Sequence, residues 1–260
     1  MKKIILFSAL AILSFACSNE TQKIDYTETE HQPTQQESEF DQKMAAIDAD
    51  DLKNGVSNSL SYSNEEGKSE SATIYLKNNK DLVKMIYFFN DPKSGNYGRN
   101  IFYFEKGKKI ASKEIYYDNT LSSPAFVERH TYYDKKGKAI FTKEKSAEYE
   151  VDLDYTTMTP AKIKAIDEKR TYQILNQEGD FETTFQGTVE NESAIFLIVG
   201  PNRPNAYTSA LSIQNFNGDI NLLMKNPKKY VGVPLNVQHQ QMEDEKGFQF
   251  QVLLNLEIKK

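Results

Sequence analysis

The chain contains one cysteine, Cys17, and it closes an apolar leader: Met1-Lys2-Lys3 precede thirteen apolar or small residues, Ile4 to Ala16. Two lysines followed by such a run have the build of a secretory signal peptide, too short to span a bilayer as a permanent helix. A single cysteine cannot make an internal disulfide framework or a thiolate zinc site, so whatever folds downstream must be held by its apolar core. Fifteen Tyr and fifteen Phe, with no Trp, indicate where that core comes from: aromatic-rich strands.

The leader resembles the bacterial lipoprotein signal. Ala16 is the small residue before the cysteine, and Leu13 is the upstream leucine, while Ser14 stands where the strictest form has Leu, Ile or Val. The resemblance implies that Cys17 becomes the lipidated N-terminus of an outer-membrane-type lipoprotein in the cell envelope of a Gram-negative bacterium. Its acyl chains, each buried methylene worth about 0.8 kcal/mol, would replace a transmembrane segment as the anchor. Without Met1 to Ala16 the chain has 244 residues (260 − 16) and 32 − 2 = 30 basic against 37 acidic residues, a net charge of −7. That balance argues against a nucleic-acid partner, which requires a clustered basic face.

Residues 17 to 39 combine the lipidated Cys17 with a stretch rich in Gln, Thr, Glu and Ser, too poor in apolar residues to offset ordering and therefore expected to be a disordered tether. A first domain is expected over 40–155, opening with a short helix from Phe40 to Lys53 on which Phe40, Met44 and Ile47 share a face. Asp48, Asp50 and Asp51 lack the calcium-loop spacing and are expected to be solvated acids at the helix end.

Six strand-length runs follow: Ala72–Leu76, Val83–Phe89, Asn100–Phe104, Ser112–Tyr117, Phe126–Tyr133 and Ala139–Lys143. Short turn-forming gaps between them dictate hairpins, hence an antiparallel meander or half-barrel. One hairpin design is used twice, in residues 101–110 and 130–140, each reading strand, charged glycine turn, strand. The doublets Phe88-Phe89, Tyr116-Tyr117 and Tyr132-Tyr133 put rings on both faces of the sheet, because successive strand residues point to opposite sides. Phe88, Phe102, Tyr116 and Tyr132 are the candidate ligand or partner face. His130 lies two residues after Glu128 on the same side of its strand; with His31 and His239 elsewhere no metal set closes, and a surface pair is expected.

Thr159-Pro160 has the form of a helix start, predicting a linking helix within 156–179 with Ile163, Ile166, Tyr172 and Leu175 on its apolar side. Over 180–260, three strand runs, a helical turn from Ile220 to Tyr230 and two more strand runs reproduce the order of the oligonucleotide/oligosaccharide-binding barrel, which this part resembles. The whole is expected to be mainly β (α+β). A β domain followed by this kind of barrel on a lipid anchor is similar in layout to envelope-stress and surface-sensing lipoproteins, though their Cys-x-x-Cys is missing here.

With no nucleophile elbow, metal set or phosphate loop in the sequence, neither an enzyme nor a cofactor is expected. The expected function is a non-enzymatic interaction module that contacts an envelope protein. The alternative is a carrier of a small hydrophobic ligand, for which the first sheet would close into a lumen. Replacing Cys17→Ala is expected to move the protein from the membrane to the soluble fraction with its melting temperature unchanged; fractionation with acyl labelling checks this, and persistent membrane association without label would refute it.

Overall fold

A computed structural model describes residues 34–191 and 194–259. The leader, Cys17 and the first part of the expected tether lie outside the described residues. Helix α1 (Gln35–Ala49) opens the described chain. It begins five residues earlier than Phe40, so residues 35–39 are helix and not tether. The reason is a capping box: Thr34 accepts from the Glu37 amide while the Glu37 carboxylate accepts from the Thr34 amide.

A 3-10 turn (Asp51–Lys53) leads into β1 (Gly55–Asn58) and β2 (Tyr62–Ser63). The meander follows as β3 (Ser69–Lys77), β4 (Asp81–Asp91), β5 (Asn96–Glu105), β6 (Lys108–Asp118), β7 (Ala125–Tyr133), β8 (Ala139–Ala147) and β9 (Thr159–Pro160). All pairings in this nine-stranded sheet are antiparallel, in the order β1-β3-β4-β5-β6-β7-β8-β9, with β2 also on β3. The sheet is mainly sequential hairpins and does not close. The twice-used hairpin is present with two turn geometries: Lys106 and Gly107 both take positive φ in a two-residue turn, the twist-compatible choice, whereas Asp134 accepts the amides of Lys136 and Lys138 in a wider loop.

Thr159-Pro160 does not start a helix. It is a short edge strand paired with β8, a place where the missing proline amide costs no ladder bond. Residues 161–168 then cross the sheet without helical structure, because buried polar side chains of β7 and β8 satisfy their backbone. Thr131 donates to the Lys164 carbonyl at 3.0 Å, Thr142 accepts the Lys164 amide at 3.3 Å, and Tyr133 accepts the Ile166 amide at 3.2 Å. Lys109 donates to the Ile166 carbonyl at 2.7 Å. Only α2 (Lys169–Asn176) is helical, with Ile174 buried and Gln177 closing it in the left-handed conformation.

The second sheet comprises β10 (Phe185–Glu190), β11 (Ile195–Val199), β12 (Ser209–Ile213), β13 (Leu235–Glu243) and β14 (Gln249–Ile258), with α3 (Gly218–Lys225) and α4 (Pro227–Tyr230) between β12 and β13. Pro227 ends α3 and sits at the first position of α4. The order β10-β11-β12-β14-β13, with β12 parallel to β14, keeps the expected succession of three strands, helix and two strands. The expected barrel, however, is not closed. Its edges meet only around Thr184 and Pro234, where the Phe185 amide donates to the Val233 carbonyl at 2.9 Å and the Leu235 amide to the Thr183 carbonyl at 2.9 Å.

The expected boundary between the sheets is crossed by one core. Leu60, Tyr62 and Ala72 from the first part pack in the same buried cluster as Phe181, Phe185, Leu197, Leu211 and Leu253. The described residues fall within one compact unit. Strand β2 serves both sheets: it pairs with β3, and Ser63 exchanges two hydrogen bonds with Thr208 at 2.8 and 2.7 Å. The Tyr62 ring tilts on Phe181 at 5.0 Å and its hydroxyl donates to the Phe181 carbonyl at 2.9 Å. Beside it, Arg170 makes a two-pronged pair with Glu70, both bonds 2.8 Å, while its guanidinium lies 4.3 Å from the Phe181 ring centre. Burial pushes the Glu70 carboxyl up, but Arg170, Tyr207 and Tyr87 outweigh it and hold the group below its ordinary range.

Removing one partner of a buried pair leaves an uncompensated charge. Arg170→Met is expected to cost about 3 kcal/mol, whereas Arg203→Ala, which removes a more exposed partner of Asp180, is expected to cost less than about 1 kcal/mol. Urea unfolding of both variants checks the ordering; equal losses would contradict it.

Candidate interaction surface at one end of the first sheet

Register and alternation assign each side chain of the meander to a face. One cross-strand row runs Phe88, Arg99, Ile115, Glu128, Lys145, and the next row towards the end of the sheet runs Asn90, Tyr97, Tyr117, Phe126. In that end row Tyr97 stacks on Tyr117 at 5.5 Å, and Phe126 meets Tyr97 edge-on at 5.8 Å and Tyr117 at 5.2 Å. These are the offset and edge geometries that aromatic quadrupoles favour. A pocket of about 420 Å³ opens beside them, walled by Phe88, Tyr97, Arg99, Ile115, Phe126 and Glu150.

Arg99 donates to Glu150 at 2.7 Å, tying the sheet to the 3-10 turn Glu150–Tyr155 that follows β8. Leu153 is the buried peg of that turn, while Val151 and Tyr155 are 72% and 90% exposed. Exposed carboxylates alternate with these apolar groups at Glu148, Asp152 and Asp154. Phe88 and Tyr97 thus present exposed rings at the pocket, and the turn that begins at its wall residue Glu150 exposes Val151 and Tyr155. Such a surface gains from being covered by another apolar surface.

The four residues expected to form one face are divided between two. Phe88 lines the pocket. Tyr132 shares its face but is fully buried at the other end of the sheet, stacked under Phe40 at 5.3 Å and donating to Asp41 at 2.6 Å. Phe102 and Tyr116 lie on the opposite face. Phe102 packs with Met85 and Phe104 in the core. Tyr116 lies against Gly98, where an added Cβ would come within 2.6 Å of Tyr116 and 2.3 Å of the Ile115 carbonyl, so no larger residue fits. Tyr97, Arg99 and Glu150 were not among the expected residues. The signal for the first two is the alternation in Tyr97-Gly98-Arg99, which places a ring and a guanidinium side by side on one face.

The pair Glu128 and His130 is not at the surface. Glu128 is 6% exposed and accepts from His130 Nε2 at 2.7 Å, with Lys113 at 3.0 Å and Lys145 at 3.3 Å. His130 Nδ1 is buried and faces Asp41 at 3.8 Å, beyond hydrogen-bond reach. Asp48 and Asp51 are likewise not free helix-end acids: both accept from Lys84, which is almost fully buried, and Asp48 also accepts from Tyr103 at 3.0 Å. These contacts, with Asp41 on Lys143 at 2.7 Å, clamp α1 to the sheet. Among the described residues no group of three or more His, Cys, Asp or Glu side chains is arranged to hold a metal ion. Comparison with protein-family models, curated proteins and solved structures finds no match.

Burial raises the Glu128 carboxyl, but His130 and Lys113 outweigh it and bring the group down to about 2. A carboxylate depressed in the folded state contributes stability that is complete above its ordinary pKa of 4.5 and is lost as pH falls towards about 2. Glu128→Gln is therefore expected to remove part of the acid-induced loss of stability between those limits. Thermal melts across that window check it, and an unchanged pH profile would contradict it.

Proposed function

We propose that this chain is a lipid-anchored protein of the bacterial cell envelope that acts as a non-enzymatic interaction module, presenting the ring-walled end of its first sheet to a protein partner. The observation that carries the reading is the pair of exposed rings Phe88 and Tyr97 walling the pocket at the β4–β5 end, together with the exposed Val151 and Tyr155 of the turn that Glu150 ties to it. The leader ending at Cys17 supplies the anchoring half of the proposal. A carrier of a small hydrophobic ligand would enclose it in a lumen. The meander is instead an open sheet, with α1 against one face and α2 and residues 161–168 against the other.

Ring-rich, rigid contacts of this type give interfaces their energetic centres. A photoreactive phenylalanine analogue in place of Tyr97 in the full-length, membrane-anchored protein is expected to yield a discrete protein adduct. That adduct is expected to weaken when Val151→Ser and Tyr155→Ser are added, while the same probe at Glu245, in the β13–β14 turn, yields none. No adduct, or equal labelling from both positions, would overturn the proposal.

A further inference from the structure

The meander has a second end, and its chemistry is opposite. The turns joining β3 to β4, β5 to β6 and β7 to β8 all lie there, because alternate hairpins of an antiparallel meander share an end. Each carries exposed lysines: Lys77 and Lys80 on the first, Lys106 and Lys108 on the second, and Lys135, Lys136 and Lys138 on the third. Few acids oppose them. Glu105 is paired with Lys43 at 2.9 Å and Asp50 with Lys53 at 2.7 Å, so Asp81 and Asp134, whose carboxylate also accepts the Lys136 and Lys138 amides, are the acids set against the seven turn lysines.

A pocket of about 630 Å³ opens at the same end, between α1 and the turns. Ile47, Leu82 and Phe104 line it together with Lys77 and Lys106, and Asp81 and the Lys43–Glu105 pair share the same wall.

The start of the described chain is at this end too. Phe40 of α1 stacks on Tyr132, one residue before Tyr133 and the third turn, and Lys43 pairs with Glu105 beside the second. Cys17 precedes Thr34 by seventeen residues (34 − 17), a span of at most about 61 Å when extended.

We infer that the lysine-bearing end is a docking face for an anionic phospholipid surface, so that the acyl anchor and the three turns hold the membrane together and the ring-walled end points away from it. The inference rests on the proposed anchoring only for a membrane being close by. The contact itself is electrostatic, with lysines near an anionic surface each adding attraction that falls off within a Debye length.

The test uses the processed chain, residues 17–260, carrying Cys17→Ala and therefore no acyl group, in sedimentation with vesicles. Binding is expected to phosphatidylcholine vesicles doped with phosphatidylglycerol and not to phosphatidylcholine alone, and is expected to weaken as salt is raised. The Lys106→Gln/Lys108→Gln/Lys135→Gln/Lys136→Gln/Lys138→Gln variant is expected to bind at least about tenfold more weakly. Lys228→Gln/Lys229→Gln, on α4, removes two lysines outside these turns and is expected to leave binding unchanged, whereas Lys135→Gln/Lys136→Gln, which removes two within them, is expected to weaken it. Equal binding to neutral and anionic vesicles, undiminished binding by the turn variant, or competition by inorganic phosphate at matched ionic strength would overturn the inference. Acyl labelling of Cys17 and crosslinking at Tyr97 report on the interaction module separately, so the two readings fail independently.

Discussion

A strand exposes half of its side chains on each side, so a nine-stranded sheet rich in Phe and Tyr presents two apolar faces, and both must be covered. One face is closed at its lysine-bearing end by α1, whose Phe40, Met44 and Ile47 settle on Tyr103, Tyr132 and Phe141. The other face takes residues 161–168, α2 and the second sheet. The polar residues inside follow from this arrangement. Thr131 and Thr142 are buried because an irregular backbone lies across them and needs partners, while Lys84 is buried because α1 and the following turn bring Asp48 and Asp51 to it. Each buried polar group is a mark of what covers the sheet.

The second sheet is joined to the first by more than proximity. Strand β2 is only two residues long, yet it pairs with β3, bridges to Thr208 and inserts Tyr62 into the shared core. Gln251 on β14 reinforces the junction, accepting from the Ser61 amide at 2.8 Å and donating to Ser209 at 2.9 Å. Glu70, Arg170 and Asp180 form a charged chain along the border of this core. Buried charges of this kind add little net attraction when intact, but they penalise any arrangement that separates them. The pairing therefore fixes how β3, α2 and the turn at Gly179–Phe181 fit together.

Much of this architecture was legible from residue order. The six central strands announce themselves through aromatic and β-branched runs between turn formers, and the helical interruption before the last two strands fixes the order of the second sheet. What failed was local pattern overridden by distant partners. Thr159-Pro160 satisfies the rules for a helix start, but the open edge of β8 offered it a ladder, and Thr131, Thr142 and Tyr133 offered the following backbone alternatives to helical bonds. The surface at the sheet's end was only partly legible. Phe88 stands out as half of a doublet, but Glu150 reaches Arg99 across fifty intervening positions, a contact that only the register of three hairpins creates. Likewise, separating Phe88 and Tyr132 from Phe102 and Tyr116 requires knowing every pairing, since one residue of slip exchanges the faces.

The two ends of the meander then differ in kind: rings and carboxylates at one, lysines and an apolar-lined pocket at the other. That polarity has meaning only if the two sheets hold together as one cooperative body. Native-state hydrogen exchange measures this most directly. The account predicts that core amides of β4 and β5 and those of β11 and β12 become exposed through the same global unfolding event, with equal free energies of opening and equal denaturant dependence. Release of the β11 and β12 amides at a distinctly lower free energy, with the meander still protected, would contradict it.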